Sequence, residues 1–141
     1  MVSIRIEPYI HYNDAEISLL YRSVGWTSYL RREGLLKEAY AGSLMTLAAY
    51  DGDRLCGIVR GVGDGVSVLY IQDLLVLPEY QRRGIGSKLL EQMLGAFPDV
   101  NQTVLLADDT VAAAAFYEKA GFRKVNEVGC CSFIRLHACY S

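Results

Sequence analysis

Apolar positions along this chain fall into short alternating or continuous runs, separated by turn-forming residues and by amphipathic stretches. Ser3 to Glu7 alternates and predicts a short first strand. Ile17, Leu20, Tyr21 and Val24 follow the i, i+3, i+4, i+7 rule of one helix face, with Asn13 or Asp14 to cap it and Gly25 to stop it. Trp26-Thr27-Ser28 forms a corner, and Ser28 caps an expected second helix running to about Tyr40. Leu44 to Tyr50 and Arg54 to Val62 read as strands joined by the hairpin turn Asp51-Gly52-Asp53. Gly63-Asp64-Gly65 turns the chain again into an apolar run, Leu69 to Ile71 and then Leu74 to Leu77, with the character of a buried strand. Pro78 ends it, because proline donates no ladder hydrogen bond.

Ile85, Leu89, Leu90, Met93, Leu94 and Phe97 then recur at helical spacing, with Lys88, Glu91 and Gln92 opposite. Gln102 to Ala107 reads as a fifth strand. Asp108, Asp109 and Thr110 offer caps for a helix from Val111 to Ala120, closed by Gly121. Phe122 to Val128 and Cys131 to His137 complete the expected strands. That order predicts an α/β fold with a mixed, mainly antiparallel sheet of six to seven strands and about four helices. The 141 residues fit one domain, 1–141.

With 52% hydrophobic and 21% charged residues the chain builds a real core and is not disordered. Its net charge of −2 argues against a nucleic-acid binder, which needs a basic stripe. No apolar run approaches a membrane span and no signal-peptide pattern opens the chain, so the expected compartment is cytoplasmic. Cys56, Cys130, Cys131 and Cys139 lack C-x-x-C spacing and His11 and His137 lack zinc-like pairing, so reduced thiols and no metal are expected.

The chemistry concentrates between Ile71 and Leu90. An apolar strand runs through a short polar loop into Gly84-Ile85-Gly86 and a helix N-terminus. Such an order aims unpaired backbone N–H groups and the positive end of a helix dipole at one spot, to which Arg82 and Arg83 add charge. A phosphate or pyrophosphate fits there. By contrast, Gly61-Val62-Gly63-Asp64-Gly65 fails the dinucleotide spacing G-x-G-x-x-G at Val66, and reads as hairpin chemistry.

Gln81-Arg82-Arg83-Gly84-Ile85-Gly86 resembles the acetyl-CoA signature Q/R-x-x-G-x-G/A of the GCN5-related N-acetyltransferase (GNAT) family. Ala113, Phe116-Tyr117 and Gly121-Phe122 resemble that family's second pattern, N-x-x-A-x-x-F-Y followed by G-F, with Thr110 in place of the usual Asn. The resemblance implies acetyl-CoA as co-substrate and a central strand splayed from the next one, with the pantetheine arm in the wedge. A bulge near Leu74, Leu75 and Val76 would then leave backbone N–H groups for the pantetheine amide and the thioester carbonyl. Backbone groups of Arg82, Arg83, Gly84, Ile85, Gly86 and Ser87 would hold the pyrophosphate, beside Gln81 and Thr110.

From position alone Tyr117 reads as a core tyrosine on an Ala-rich helix; the family pattern makes it the general acid and a cofactor neighbour. Asp73 lies on the central strand, where a buried carboxylate needs a partner or a function. A hydrogen bond to a loop, a solvent position, and a catalytic base that also binds the amine all remain open for it. Trp26 and Tyr29 read as a satellite core or as the wall of the acceptor pocket, which the first two helices cover in this family. The implied reaction is direct attack of a primary amine on acetyl-CoA in a ternary complex.

Val24-Gly25-Trp26, Asp64-Gly65, Ile71-Gln72-Asp73 and Leu106-Ala107-Asp108 further resemble the serotonin (arylalkylamine) N-acetyltransferase branch, which implies a small aromatic amine or polyamine. The rival readings are a protein-lysine acetyltransferase and a non-catalytic acyl-CoA-binding module. Ser132 to Tyr140 alternates as an edge strand does, and such an edge can pair across a homodimer.

Overall fold

A computed structural model describes residues 3–137 of the chain. These divide into two compact units, one ending at Leu106 and the other beginning at Ala107. In the first unit five strands run β1 (Ile4–Pro8), β2 (Met45–Asp51), β3 (Arg54–Val62), β4 (Val68–Val76) and β5 (Gln102–Leu105). They lie side by side in chain order; the first three pairings are antiparallel and β4–β5 is parallel. Between β1 and β2 come helix α1 (Asp14–Ser23), a 3₁₀ turn (Thr27–Leu30) and helix α2 (Leu35–Ala41). A 3₁₀ turn at Pro78–Tyr80 and helix α3 (Ile85–Ala96) connect β4 to β5.

Helix α1 begins where Asn13 accepts the Glu16 amide on its side chain, the cap that its sequence offers. It buries Ile17, Leu20 and Tyr21. Helix α3 buries Ile85, Leu89, Leu90 and Met93, each contributing about 1.5–3 kcal/mol relative to an exposed position. Strand β3 is covered on both faces, so all of Leu55 to Gly61 is buried and the run reads as continuous rather than alternating. A Cβ on Gly57 or Gly61 would meet Leu89 or Met93 of α3, whereas Arg60 reaches Ala39 and Ser43 at the end of α2. Alternation thus sends one face of β3 to α3 and the other to α2.

Three expectations need correction. The sheet has five strands, not six to seven. The run expected as a strand over 122–128 forms instead a 3₁₀ turn at Val125–Val128, closed by Gly129 at φ +83° and by a bond from the Cys130 amide to the Val125 carbonyl. Residues 130–137 have no strand partner, and Phe133, Ile134 and Leu136 are exposed; alternation alone makes no ladder. Residues 138–140 of the expected C-terminal edge, Cys139 among them, lie outside the described residues. The expected second helix is broken, because Gly34 at φ +80° separates the 3₁₀ turn from α2. The bulge falls earlier than expected: Arg60 pairs with Asp73 and Gly61 with Ile71, so Gln72 is the extra residue.

The second unit holds helix α4 (Val111–Lys119) and the Val125–Val128 turn. Thr110 caps α4, its hydroxyl oxygen accepting the Ala113 amide at 3.1 Å. Among the described residues, no helix is long and apolar enough to cross a membrane.

Candidate active site

The turn after β4 is built from backbone more than from side chains. The Leu77 amide donates to the Cys56 carbonyl at 2.9 Å, closing the β3–β4 ladder. Pro78–Tyr80 then makes one tight turn, and Arg82 adopts φ +64°, a left-handed conformation that costs a residue with a side chain roughly 1–2 kcal/mol. Gly84, left-handed at φ +79°, precedes α3. Its own carbonyl accepts the Lys88 amide, and no side chain caps the helix. The amides of Ile85, Gly86 and Ser87 therefore have no acceptor among the described residues. Residues Gln81 to Gly84 and Ser87 are exposed, so this cluster of donors faces outward with Arg82 and Arg83 beside it. The Arg83 guanidinium lies 5.2 Å from the Tyr80 ring, whose hydroxyl is tied to Asp51. Gln81 plays a different part: its side-chain amide donates to the Val76 carbonyl at 3.0 Å.

That last bond marks a free strand edge. Strand β5 pairs only with Val68 to Ile71, so Gln72 to Val76 run on past its end. The Leu77–Cys56 bond fixes the phase of the antiparallel ladder: Asp73 and Leu75 turn their amides to β3, and Leu74 and Val76 turn theirs away. Among the described residues Leu74 and Val76 thus present unpaired N–H groups where β5 has ended, ahead of the turn that leads into α3. Leu75 directs only its side chain elsewhere in the core, since its amide belongs to the ladder.

Asp73 is 1% exposed and lies in a polar knot that sequence reading assembles only in part. Its Oδ2 accepts from Arg60 Nε at 2.8 Å and from the Tyr21 hydroxyl at 2.7 Å. The Tyr21 and Tyr40 hydroxyls are 2.9 Å apart. Arg60, itself 4% exposed, also donates to Ser43 Oγ at 3.1 Å and stands 5.2 Å from the Tyr40 ring. Asp73 Oδ1 is buried with no hydrogen-bond partner. A solvent position for Asp73 is therefore ruled out. Burial first, then Tyr40 and Asp73, pushes the Tyr21 phenol far up, and burial likewise raises Tyr40, so both stay protonated throughout the physiological range.

Trp26 and Tyr29 pack edge-on against Tyr21, with ring centroids 6.5 and 5.1 Å away. The Tyr29 hydroxyl accepts from Gln72 Nε2 at 2.8 Å, linking the 3₁₀ turn to the bulge in β4. Burial and the Asp73 charge push the Tyr29 phenol up to about 12. The sequence reading takes Tyr21 and Tyr40 as helix positions and Gln72 as part of Ile71-Gln72-Asp73, and gives none of them, nor Arg60, a place in the site. One signal was available: an arginine inside an otherwise apolar strand must find a buried partner.

In the second unit, Tyr117 is half-buried between Phe116 and Phe122, at ring distances of 4.9 and 5.9 Å. Burial, then the charge of Asp108, raises its phenol above the ordinary value, so it holds its proton at neutral pH. Thr110 Oγ1 is engaged in capping α4 and keeps its O–H free to donate. Among the described residues no group of three or more His, Cys, Asp or Glu side chains is gathered to hold a metal. Cys56, Cys130 and Cys131 are free thiols.

Unpaired main-chain donors thus stand on both sides of the turn between β4 and α3. Residues 42–124 match the model of the acetyltransferase (GNAT) domain family. A GNAT-family acetyltransferase from Streptococcus pneumoniae superposes with a TM-score of 0.87 and 35% identity, covering 96% of this chain and 99% of that one. An N-acetyltransferase of the ycf52-like kind from Prochlorococcus marinus is 32% identical over 124 residues, 84% of this chain and 67% of its own length. A soybean histone acetyltransferase is 30% identical over 118 residues, 76% of this chain but only 50% of that protein. The chain belongs to the GNAT acetyltransferase family. Enzymes of this fold use acetyl-CoA, and the free amides at the start of α3 suit its diphosphate.

Proposed function

We propose that this protein is an acetyl-CoA-dependent N-acetyltransferase whose acceptor is a small primary amine, an arylalkylamine or a polyamine. The observation that carries the reading is a pair of unpaired main-chain donor sets on the two sides of one strand-to-helix turn: Ile85 to Ser87 at the start of α3, and Leu74 with Val76 on the free edge of β4. In this reading the first set holds the diphosphate, with Arg82 and Arg83 adding charge and Gln81 fixing the strand end. The second set holds the pantetheine amide and the carbonyl oxygen that gains negative charge during transfer.

The amine nitrogen attacks the thioester carbonyl carbon directly, the C–N bond forms and the C–S bond breaks. Asp73 receives the amine's surplus proton through its unpartnered Oδ1, by way of water, and Tyr117 protonates the departing thiolate. The acid role of Tyr117 and the neighbouring role of Thr110 come from the family pattern at Ala113 and Phe116-Tyr117. Trp26 and Tyr29, packed edge-on against Tyr21, supply aromatic rings suited to an aromatic amine. No metal enters this reading.

The soybean relative favours a second reading, acetylation of protein lysines. Thiol release from acetyl-CoA separates them. 2-Phenylethylamine, tyramine, spermidine and a lysine-containing histone-tail peptide are offered in parallel. Turnover on a free amine with none on the peptide supports the small-amine reading, and the reverse result replaces it. Coenzyme A binding without thiol release on any acceptor would leave a non-catalytic acyl-CoA-binding module.

A further inference from the structure

We propose that Arg60 is a positioning residue of the acetyl-transfer site: it fixes Asp73 through Oδ2 and so presents Oδ1 alone as the atom that takes the amine's proton. The inference rests on the acetyltransferase reading and adds to it a residue outside every family motif in the chain. Its basis is the asymmetry of one carboxylate. Both donors that reach Asp73, Arg60 Nε and the Tyr21 hydroxyl, converge on Oδ2, and Oδ1 is left buried and bare. Buried carboxylate oxygens are ordinarily hydrogen-bonded, so an unpartnered one asks for an explanation.

Arg60 is itself held in place, by Ser43 Oγ at 3.1 Å, the Ala39 carbonyl at 3.4 Å and the Tyr40 ring at 5.2 Å. The guanidinium is a rigid fork with three anchors, so it sets the plane of the carboxylate rather than following it. Its side chain makes no hydrogen bond to the α3 turn, to Leu74 or to Val76 among the described residues.

The charge balance assigns it a second effect. The groups that face Asp73 are Arg60 from β3, Tyr21 from α1, Tyr40 from α2 and Tyr29 from the 3₁₀ turn. All three phenols are raised by burial and remain neutral, so among the described residues Arg60 is the counter-charge that pairs with Asp73. In the full step the amine loses one proton to Oδ1, and the thiolate gains one from Tyr117. Each group is then reset by exchange with water.

The test uses the full-length protein, with acetyl-CoA and 2-phenylethylamine as probes, comparing wild type with Arg60→Lys and Arg60→Met. The readouts are the pH profile of kcat at saturating amine, the KM for acetyl-CoA, coenzyme A binding by calorimetry, and the melting temperature. Removing the counter-charge makes the carboxylate easier to protonate, so the acidic limb of kcat should move to higher pH by about one unit or more in Arg60→Met. Arg60→Lys keeps the charge and loses the fork, and should fall between. Coenzyme A affinity should stay within about twofold in both.

A role in packing alone lowers kcat and melting temperature by a factor independent of pH. If Arg60→Met does not fold, Arg60→Lys decides: a profile superimposable on wild type overturns the proposal. A wild type that binds coenzyme A but turns over no amine sinks the acetyltransferase reading and this inference with it. A working wild type with an unmoved acidic limb in the folded variants sinks this inference alone.

Discussion

The buried pair between Arg60 and Asp73 makes a quantitative demand on the architecture through a double-mutant cycle. Arg60→Met or Asp73→Leu leaves the other charge stranded, from a pair at 2.8 Å with side-chain exposures of 5% and 0%. Breaking such a pair from one side costs about 3–5 kcal/mol, while replacing both partners with apolar groups of similar volume is often neutral. Here the double variant still deprives Tyr21 and Ser43 of one hydrogen-bond partner each, at roughly 1 kcal/mol apiece. The expectation is a loss of about 3–5 kcal/mol in each single variant and about 2 kcal/mol in R60M/D73L.

An unfolding entropy of about 2.1 cal/mol/K per residue over 141 residues gives roughly 0.3 kcal/mol/K. Each single variant should therefore melt about 10–17 °C lower, and the double variant about 7 °C lower. Urea unfolding followed by the fluorescence of Trp26 measures the free energies, since this lone tryptophan stands 6.5 Å from the Tyr21 ring. Additivity of the two single losses within about 0.5 kcal/mol would refute the pairing.

Tyr117→Phe should lower kcat at least tenfold while the KM for acetyl-CoA changes by less than about twofold, because a general acid contributes about 10²–10⁴ to the chemical step. Near-normal turnover removes Tyr117 from the chemistry. Gly57→Ala should destabilise by about 1–3 kcal/mol in urea, since its Cβ would stand 3.2 Å from the Leu75 carbonyl oxygen and 3.1 Å from Leu89 Cδ1. Gly84→Ala, which meets nothing within 4 Å, should lose only the strain of its left-handed φ, about 1 kcal/mol.

Asp64 accepts the amides of Val66, Ser67 and Val68 and the Ser67 hydroxyl, and these bonds hold its carboxyl well below the usual carboxylate range. With the folded value depressed, its stabilisation is present above the unfolded value of about 3.9 and drains away as pH falls through the folded one. Asp64→Asn should therefore melt lower at pH 7 and show a shallower decline on acidification; equal slopes for the two proteins would remove this role.

The hairpin of β2 and β3 was legible because Asp51-Gly52-Asp53 separates two apolar runs, and β3 ends where its sequence pattern ends, at Arg54 and Val62. The turn into α3 was legible because Pro78, the two arginines and Gly84-Ile85-Gly86 punctuate the chain in the order that a strand-to-helix turn needs. Gln72 as the bulge was not, since register depends on both strands at once. Arg60 meets Asp73, 13 positions away, across a hairpin whose register was open to the bulge. Tyr21 reaches the same carboxylate from a helix 52 positions before it, and Tyr40 reaches the Tyr21 hydroxyl from 33 positions before the carboxylate, distances at which local patterns say nothing. The final strands failed for a related reason: alternation at Phe133, Ile134 and Leu136 describes a strand's faces but not its neighbour.

The free edge of β4 also bears on how such a protein tolerates change. Donors that belong to Leu74, Val76 and the first residues of α3 are attached to the backbone and survive nearly any replacement of the side chains there. Proline alone deletes them. On the proposed reading, residues around Trp26 and Tyr29 would be at liberty to drift toward new acceptors while the grip on a shared donor stays intact, and a proline scan through positions 74 to 87 would map that grip amide by amide.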